Sequence, residues 1–445
     1  MKSRIIFITL MLWGVSLFSQ SYLDVLRPFR GMRGISGAES GVLPAAMSGS
    51  NALLGNPALL SYTKRAFVST DVSFNQIAGT SVYNSAIAGN SSDQQFGFNS
   101  ITYIRPVRVY RGAWVWGFNL QPVHSFASLG QFESVEPDGE FSYKYLQQDS
   151  GTLYALTAGS AVLVTMNTSI GYALSYLTGA NNFTKLYEET DPQDIYTSER
   201  FIDSLQFRPS YHGFGARLGL LSEVSENLNL GISIELPTRI SVSESASRNI
   251  IEWFDSDWIE TDDGDSVLIV NDLPRKEIQY SVKSSSLEYV VWGPWRLGVG
   301  LGFGAAPLEA SVNYRFHSYT SIAMKTDLYD TDSGENLGDL VDGQVTDYVK
   351  NVHEFSASLL WALDPLSLSF GASLMNDPLN YRFDNIIRMD LGIGYQLSSG
   401  LGFMLAYRNE QWQSDLDHIL ESNVKRSVDL ENSSSKFQFG IKYVL

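Results

Sequence analysis

Four stretches of the chain alternate large apolar residues with small or polar ones so regularly that each must be a strand with two different sides. In residues 227–236, Leu228, Leu230, Ile232, Ile234 and Leu236 share one side, while Asn229, Gly231, Ser233 and Glu235 share the other. Residues 297–304 set Leu297, Val299, Leu301 and Phe303 against Gly298, Gly300, Gly302 and Gly304, and residues 366–374 and 436–445 repeat the pattern. A period of two places successive side chains on opposite faces of a sheet. A membrane barrel shows that pattern with apolar residues outward and polar ones inward. The expected fold class is therefore all-β, a transmembrane antiparallel β-barrel.

The N-terminus fits that expectation. Lys2 and Arg4 precede an uncharged apolar run over residues 5–18, followed by Ser19 and Gln20. This is the pattern of a secretory signal peptide over residues 1–20, too short and wrongly flanked for a retained spanning helix. Cysteine is absent, so lipoprotein attachment, disulfides and thiol metal sites are all excluded. No other stretch has the roughly 18 apolar residues that a spanning helix needs, yet hydrophobic residues make up 44% of the chain and are spread along it. An export signal, no spanning helix and dispersed alternating strands together point to the outer membrane of a Gram-negative bacterium, among its lipid and lipopolysaccharide. The alternative is a soluble periplasmic sandwich, which needs two packed sheets.

Composition and motifs narrow the function. A net charge of −17 offers no basic footprint for nucleic acid. His124, His212, His317, His353 and His418 are scattered without ligand spacing, and no G-x-S-x-G nucleophile elbow occurs. Asp255, Asp257, Asp262, Asp263 and Asp265 could supply oxygen ligands to calcium, but their spacing is not that of an EF-hand and a solvated acidic loop explains them better. The expectation is a non-enzyme with no cofactor and no metal.

Turn signals give a strand count. Short turns fall near residues 106–111, 164–167, 223–227, 304–307, 362–365 and 397–400. Long ones fall near 78–93, 123–150, 179–209, 239–292, 318–350, 375–384 and 409–435. Six short and seven long connections imply fourteen strands over residues 66–445, with short turns periplasmic and long loops extracellular. Residues 21–65 do not read as a strand. They are rich in glycine, alanine and serine, with Pro44 and Pro57 as breakers, yet they carry Leu23, Phe29, Ile35, Leu53, Leu54, Leu59 and Leu60. That is too apolar for a solvated tail. The expectation is an N-terminal hatch folded into the barrel mouth, for which fourteen strands leave room.

Within that segment, Ser36-Gly37-Ala38, Ala45-Ala46-Met47 and the run from Ser50 through Asn56-Pro57-Ala58 to Leu60 resemble the hatch signature of the FadL/TodX family. That family comprises outer-membrane transporters of long-chain fatty acids and other hydrophobic compounds. Leu59 stands where the family has glycine, and the Ala- and Asp-rich stretch before the motif is shortened, which implies a trimmed hatch. Gly213-Phe214-Gly215, Leu228-Asn229-Leu230-Gly231 and residues 294–300 resemble family strands. The resemblance implies capture of a hydrophobic ligand among the outer loops, a pocket in the bore, and lateral release at an inward strand kink when the hatch moves. It makes Gly37, Asn56, Pro57 and Ala58 the hatch or gating residues. A FadL-like barrel of the PorV type, serving protein secretion as a scaffold, shares the same signature, and an ion-conducting porin is a third reading.

Candidate ligand contacts follow from parity and exposure. Parity places Arg217, Glu235, Arg296, Glu309, Arg315, Arg388 and Asp390 in the lumen, because charge on the lipid face costs about 2–4 kcal/mol near the midplane. Arg217 and Arg315 could hold a substrate carboxylate by paired hydrogen bonds, although ion pairs with Glu235, Glu309 and Asp390 that anchor the hatch are the simpler reading. Trp253, Phe254 and Trp258 in the stretch 239–292, and Phe201 in 179–209, give the outer loops an apolar patch of the kind that often marks a binding surface.

Overall fold

The structure, a computed structural model, describes residues 28–29, 52–83, 86–135, 141–195, 198–254, 259–260, 267–268, 276–283, 287–329, 334–379, 385–415 and 429–445. Its wall is built from β1 (Phe67–Tyr83), β2 (Ala86–Val107), β3 (Trp114–Ser125), β4 (Ser142–Thr165), β5 (Thr168–Thr190), β6 (Ser198–Ser225) and β7 (Leu228–Glu235). It continues through β8 (Arg296–Ala305), β9 (Leu308–His317), β10 (Val352–Leu363), β11 (Leu366–Asn376), β12 (Asn385–Gln396), β13 (Leu401–Asp415) and β14 (Asp429–Val444). Each strand pairs antiparallel with its neighbours in this order. β14 then closes on β1, from Val444 opposite Phe67 to Asp429 opposite Val82. Closure pairs the backbone groups of every wall strand without leaving an edge, which is the condition for spanning lipid with sheet. The fourteen strands and the six short turns match the sequence reading.

Side chains divide by parity. Phe118, Leu156, Leu174, Phe214, Ile234, Val299, Phe303, Val312, Phe355, Phe370, Leu391, Leu405 and Phe439 are exposed on the outside. Asn119, Thr157, Ser233, Ser311, Ser356, Ser373, Asp390, Arg408 and Gln438, on the same strands, are buried inside. Hydrocarbon solvates the first set, and within the second Asn119 donates to Thr102 at 2.7 Å, Ser311 bonds Ser358 at 2.8 Å, Arg408 pairs with Asp390 and Gln438 donates to Asp71 at 2.7 Å. The molecule is a membrane barrel.

Long loops expected over 78–93, 123–150, 179–209 and 239–292 are largely strand, and Ser128–Val135 pairs with the start of β4 within 123–150. β1 and β2 pair as far as Tyr83 and Ala86, so residues 78–83 and 86–93 are strand. β5 and β6 run through most of residues 179–209, and Arg239–Phe254, Lys276–Lys283 and Leu287–Trp292 occupy much of 239–292. A spanning strand needs about 9–11 residues, whereas β4, β5 and β6 have 24, 23 and 28. The surplus stands above the membrane, where both faces meet water or protein and the apolar alternation lapses. Cross-strand pairs such as Arg200–Glu188 and Arg248–Asp203, both 2.7 Å, belong to this outer sheet. The connection from β9 to β10 was expected as a plain loop as well. It holds a short strand, Ala323–Lys325, and helix α1 (Leu337–Tyr348).

Candidate ligand chamber and plug contacts

Position along the strands orders the bore into three levels. On β6, moving toward the periplasmic turn at 226–227, Tyr211 precedes Arg217, which precedes Gly219 and Leu220. Each of these marks a different environment.

The uppermost level is apolar. Phe29, Phe126, Leu153, Leu177, Tyr211, Ile240, Val242, Tyr289, Val291, Tyr319 and Met324 belong to one buried cluster. Helix α1 contributes Val341 and Val345 to it. Asn336 caps the helix by accepting from Gly338 N at 2.8 Å, and Leu337, Val341 and Val345, spaced four apart, fall on its buried face. Two hydroxyls here are engaged: Tyr289 Oη donates to Glu244 Oε2 at 3.2 Å, and Tyr319 Oη donates to the Phe29 carbonyl at 2.9 Å. Phe126 stacks on Tyr211 with ring centroids 5.2 Å apart.

Charge fills the middle level. Arg217 pairs with Glu235, whose other oxygen accepts from Arg296 Nη1 at 2.7 Å. Arg296 Nε donates to His317 Nδ1 at 3.0 Å, and His317 Nε2 lies 3.1 Å from Glu354 Oε2, which Arg315 also reaches at 3.3 Å. The chain of six side chains thus runs unbroken from β6 to β10. Further round the wall, Arg388 pairs with Glu410 at 2.8 Å and Arg408 with Asp390. Glu235 and Asp390 are therefore paired as expected. Glu309 instead lies beside Gly304 near the periplasmic turn, and Glu354 and Glu410, which parity reasoning had not singled out, take its place in the network.

The lowest level carries residues 52–62. Asn56 Nδ2 donates to the carbonyls of Leu220 and Ile232, at 3.0 and 3.3 Å, and its Oδ1 accepts from Ala58 N at 3.0 Å. One amide therefore grips β6 and β7 and caps the 3-10 turn Pro57–Tyr62. This close approach requires glycine on the wall. A Cβ on Gly219 would fall 2.0 Å from Asn56 Oδ1, and one on Gly171 would fall 2.4 Å from the Pro57 carbonyl carbon. Arg217 Nη1 adds a hydrogen bond to the Leu53 carbonyl at 3.3 Å, so the charged level holds this segment from above.

The structure brings Asn56, Pro57, Ala58 and Arg217 together and sets Arg315 in the same ion-pair network. Phe201 and Trp253 stand on the outer sheet, on adjacent strands, with Arg200 over the Trp253 ring at 5.1 Å, and neither joins the chamber cluster. Phe254 ends its strand opposite Lys276. Gly37 and Trp258 lie outside the described residues. Sequence reasoning missed the chamber aromatics and α1. The helix carried a signal in Asn336 followed by Leu337, Val341 and Val345.

No protein-family model matches the chain, and no curated protein does. Solved structures do. A Pseudomonas aeruginosa FadL homologue is 11% identical with a TM-score of 0.58, covering 93% of this chain and 97% of its own. The P. putida toluene transporter TodX is 12% identical with a TM-score of 0.58, covering 92% and 99%. This chain has the FadL/TodX barrel fold. The Ralstonia pickettii toluene transporter TbuX, 12% identical with a TM-score of 0.53 over 96% of this chain and 99% of its own, extends the likeness. At such identities the likeness concerns fold alone, so function rests on the site.

Proposed function

We propose that this FadL/TodX-like barrel sits in the outer membrane and admits hydrophobic small molecules, such as fatty acids, by passive diffusion. The outer sheet with Phe201 and Trp253 gathers the molecule, the chamber holds it, and it leaves sideways into lipid. The segment 21–65 is the hatch, and Asn56-Pro57-Ala58 is the part that keeps it closed. The carrying observation is the stacking of an apolar chamber directly on a charged layer. Each buried methylene gains about 0.8 kcal/mol, so a molecule that enters the chamber loses that gain if it continues down the axis past Arg296 and Glu235. Lateral escape into hydrocarbon keeps it. Equilibrium binding of palmitate to the purified barrel, with uptake by cells carrying or lacking it, tests the reading; absent binding together with unchanged uptake overturns it.

The tall outer sheet favours a second reading, in which the barrel is a PorV-type scaffold for a secretion-system protein. Recovery of a stoichiometric secretion component with the barrel, and no ligand in the chamber, would favour the scaffold.

A further inference from the structure

We propose that the periplasmic end of β1, β2 and β3 is a binding site for the headgroup of an anionic phospholipid of the inner leaflet, built on Arg105. The site stands apart from the chamber and does not depend on what the chamber carries.

Charge is divided unevenly round the periplasmic rim. The chain as a whole is acidic, with a net charge of −17. Five of the six short turns, at 164–167, 223–227, 304–307, 362–365 and 397–400, carry no lysine or arginine, and Glu223, Glu226 and Asp364 stand exposed on them. The sixth, between β2 and β3, holds Arg108 and Arg111, and Arg105 lies just inside it. Phe67 pairs with Ile104, so Lys64 and Arg65, which precede Phe67, arrive at the same stretch of rim. All five of these cations are exposed, and among the described residues none is in an ion pair.

Register decides which way the patch faces. Arg105 alternates with Ile101 and Tyr103 along β2, and Ile101 is exposed to lipid. Its ladder partner is Trp116, on the face of β3 that carries the exposed Trp114 and Phe118. The guanidinium therefore sits on the hydrocarbon side of the wall. The rings of Tyr103 and Trp116 meet edge to face at 5.5 Å, and Trp114 Nε1 donates to Ser160 Oγ at 2.9 Å. Aromatic side chains of this kind mark the lipid–water boundary. A charge facing lipid is costly near the midplane and tolerated close to that boundary. Elsewhere the described periplasmic strand ends show no lysine or arginine on that face.

Phosphate is the partner that fits. The fork of an arginine matches two phosphate oxygens. Arg108 and Arg111, with the exposed Val109 and Tyr110 between them, lie just beyond Trp114 and add the attraction that basic juxtamembrane residues exert on anionic lipid. A soluble protein approaching from the periplasm does not reach a side chain on the lipid side of Trp114, whereas a phospholipid brings its phosphate to that level. Lys64 and Arg65 follow closely on the turn Pro57–Tyr62, so a lipid held here binds at the root of the plug segment.

Native mass spectrometry of the full barrel tests this, with the protein released from micelles holding equal amounts of phosphatidylglycerol and phosphatidylethanolamine of the same acyl chains. The wild-type barrel is expected to retain phosphatidylglycerol several-fold over phosphatidylethanolamine, and the preference should shrink as ionic strength rises. The combined variant Arg105→Gln, Arg108→Gln and Arg111→Gln is expected to lose it, while Arg208→Gln with Arg239→Gln, at the outer end, keeps it. Heat-dependent gel mobility checks that both variants are folded. Phosphatidylglycerol with a photoactivatable headgroup maps the contact on the wild-type barrel without any substitution, and adducts on residues 103–116 are expected. Equal retention of the two lipids, a preference that the combined variant keeps, or adducts spread evenly round the rim overturns the proposal. So does a patch that ignores lipid charge and instead retains an acidic protein from a periplasmic extract.

Discussion

At the scale of single residues, Asn56 and Glu235 carry the heaviest duties because the first satisfies three partners and the second two, where water has little access. Asn56 spends its amide N–H groups on carbonyls of two adjacent wall strands and its oxygen on the turn that follows. Asn56→Ala should cost about 1–3 kcal/mol in seating the segment, the range for a buried polar group left unmatched. The readout is ion conductance in planar bilayers, expected to rise above that of the wild-type barrel. Glu235 stands between two guanidinium groups, and Glu235→Gln leaves both without their shared anion. Breaking one side of a buried pair costs about 3–5 kcal/mol, so the temperature at which the barrel loses its compact gel mobility should fall markedly. Arg217→Lys keeps the charge but loses the fork that reaches both Glu235 and the Leu53 carbonyl. It should loosen residues 52–62 more than it weakens the wall, read as faster proteolysis at that segment with little change in melting.

At the scale of elements, α1 shows how a connection between wall strands joins the buried apolar cluster. Its buried face is held by Val341 and Val345, and Asp342 Oδ1 accepts from Met324 N at 2.8 Å. Burial beneath the helix raises the Asp342 carboxyl above its ordinary value, outweighing that hydrogen bond. A carboxyl raised on docking favours the docked helix while protonated, so that contribution fades as pH climbs through the raised value. Asp342→Asn keeps an acceptor without the charge and should slow amide exchange in α1 at neutral pH, with the difference from wild type shrinking in acid. Faster exchange at neutral pH would contradict this. The elements also show what the sequence made legible. The lipid-facing strands announced themselves because hydrocarbon outside and polar bore inside enforce alternation, as in residues 228–235 and 297–304. The extensions of β5 and β6 did not, since above the membrane neither face is constrained to be apolar. Phe29 was invisible as a site residue for a related reason: one aromatic in a glycine-rich stretch has no period, and only the fold carries it to Gly293.

At the scale of the molecule, an ordinary soluble protein is turned inside out, with hydrocarbon solvating the outer face and a polar network lining the bore, except where the chamber interrupts it. That exception is the functional centre of the account: an apolar cluster that takes in Val341 and Val345 of α1 with Tyr211, Ile240 and Tyr289, next to the Arg217-to-Arg315 network. Apolar surface buried inside a membrane barrel is not needed to hold the barrel in lipid, so its presence argues for a ligand of the same character. Photo-crosslinking with a diazirine-bearing fatty acid, followed by mass-spectrometric mapping of the adducts, tests this most directly. Adducts on Tyr211, Tyr289, Met324 or Val345 that excess unlabelled fatty acid removes are the predicted result. Adducts confined to lipid-facing residues such as Phe370 and Leu391, indifferent to competitor, would contradict it.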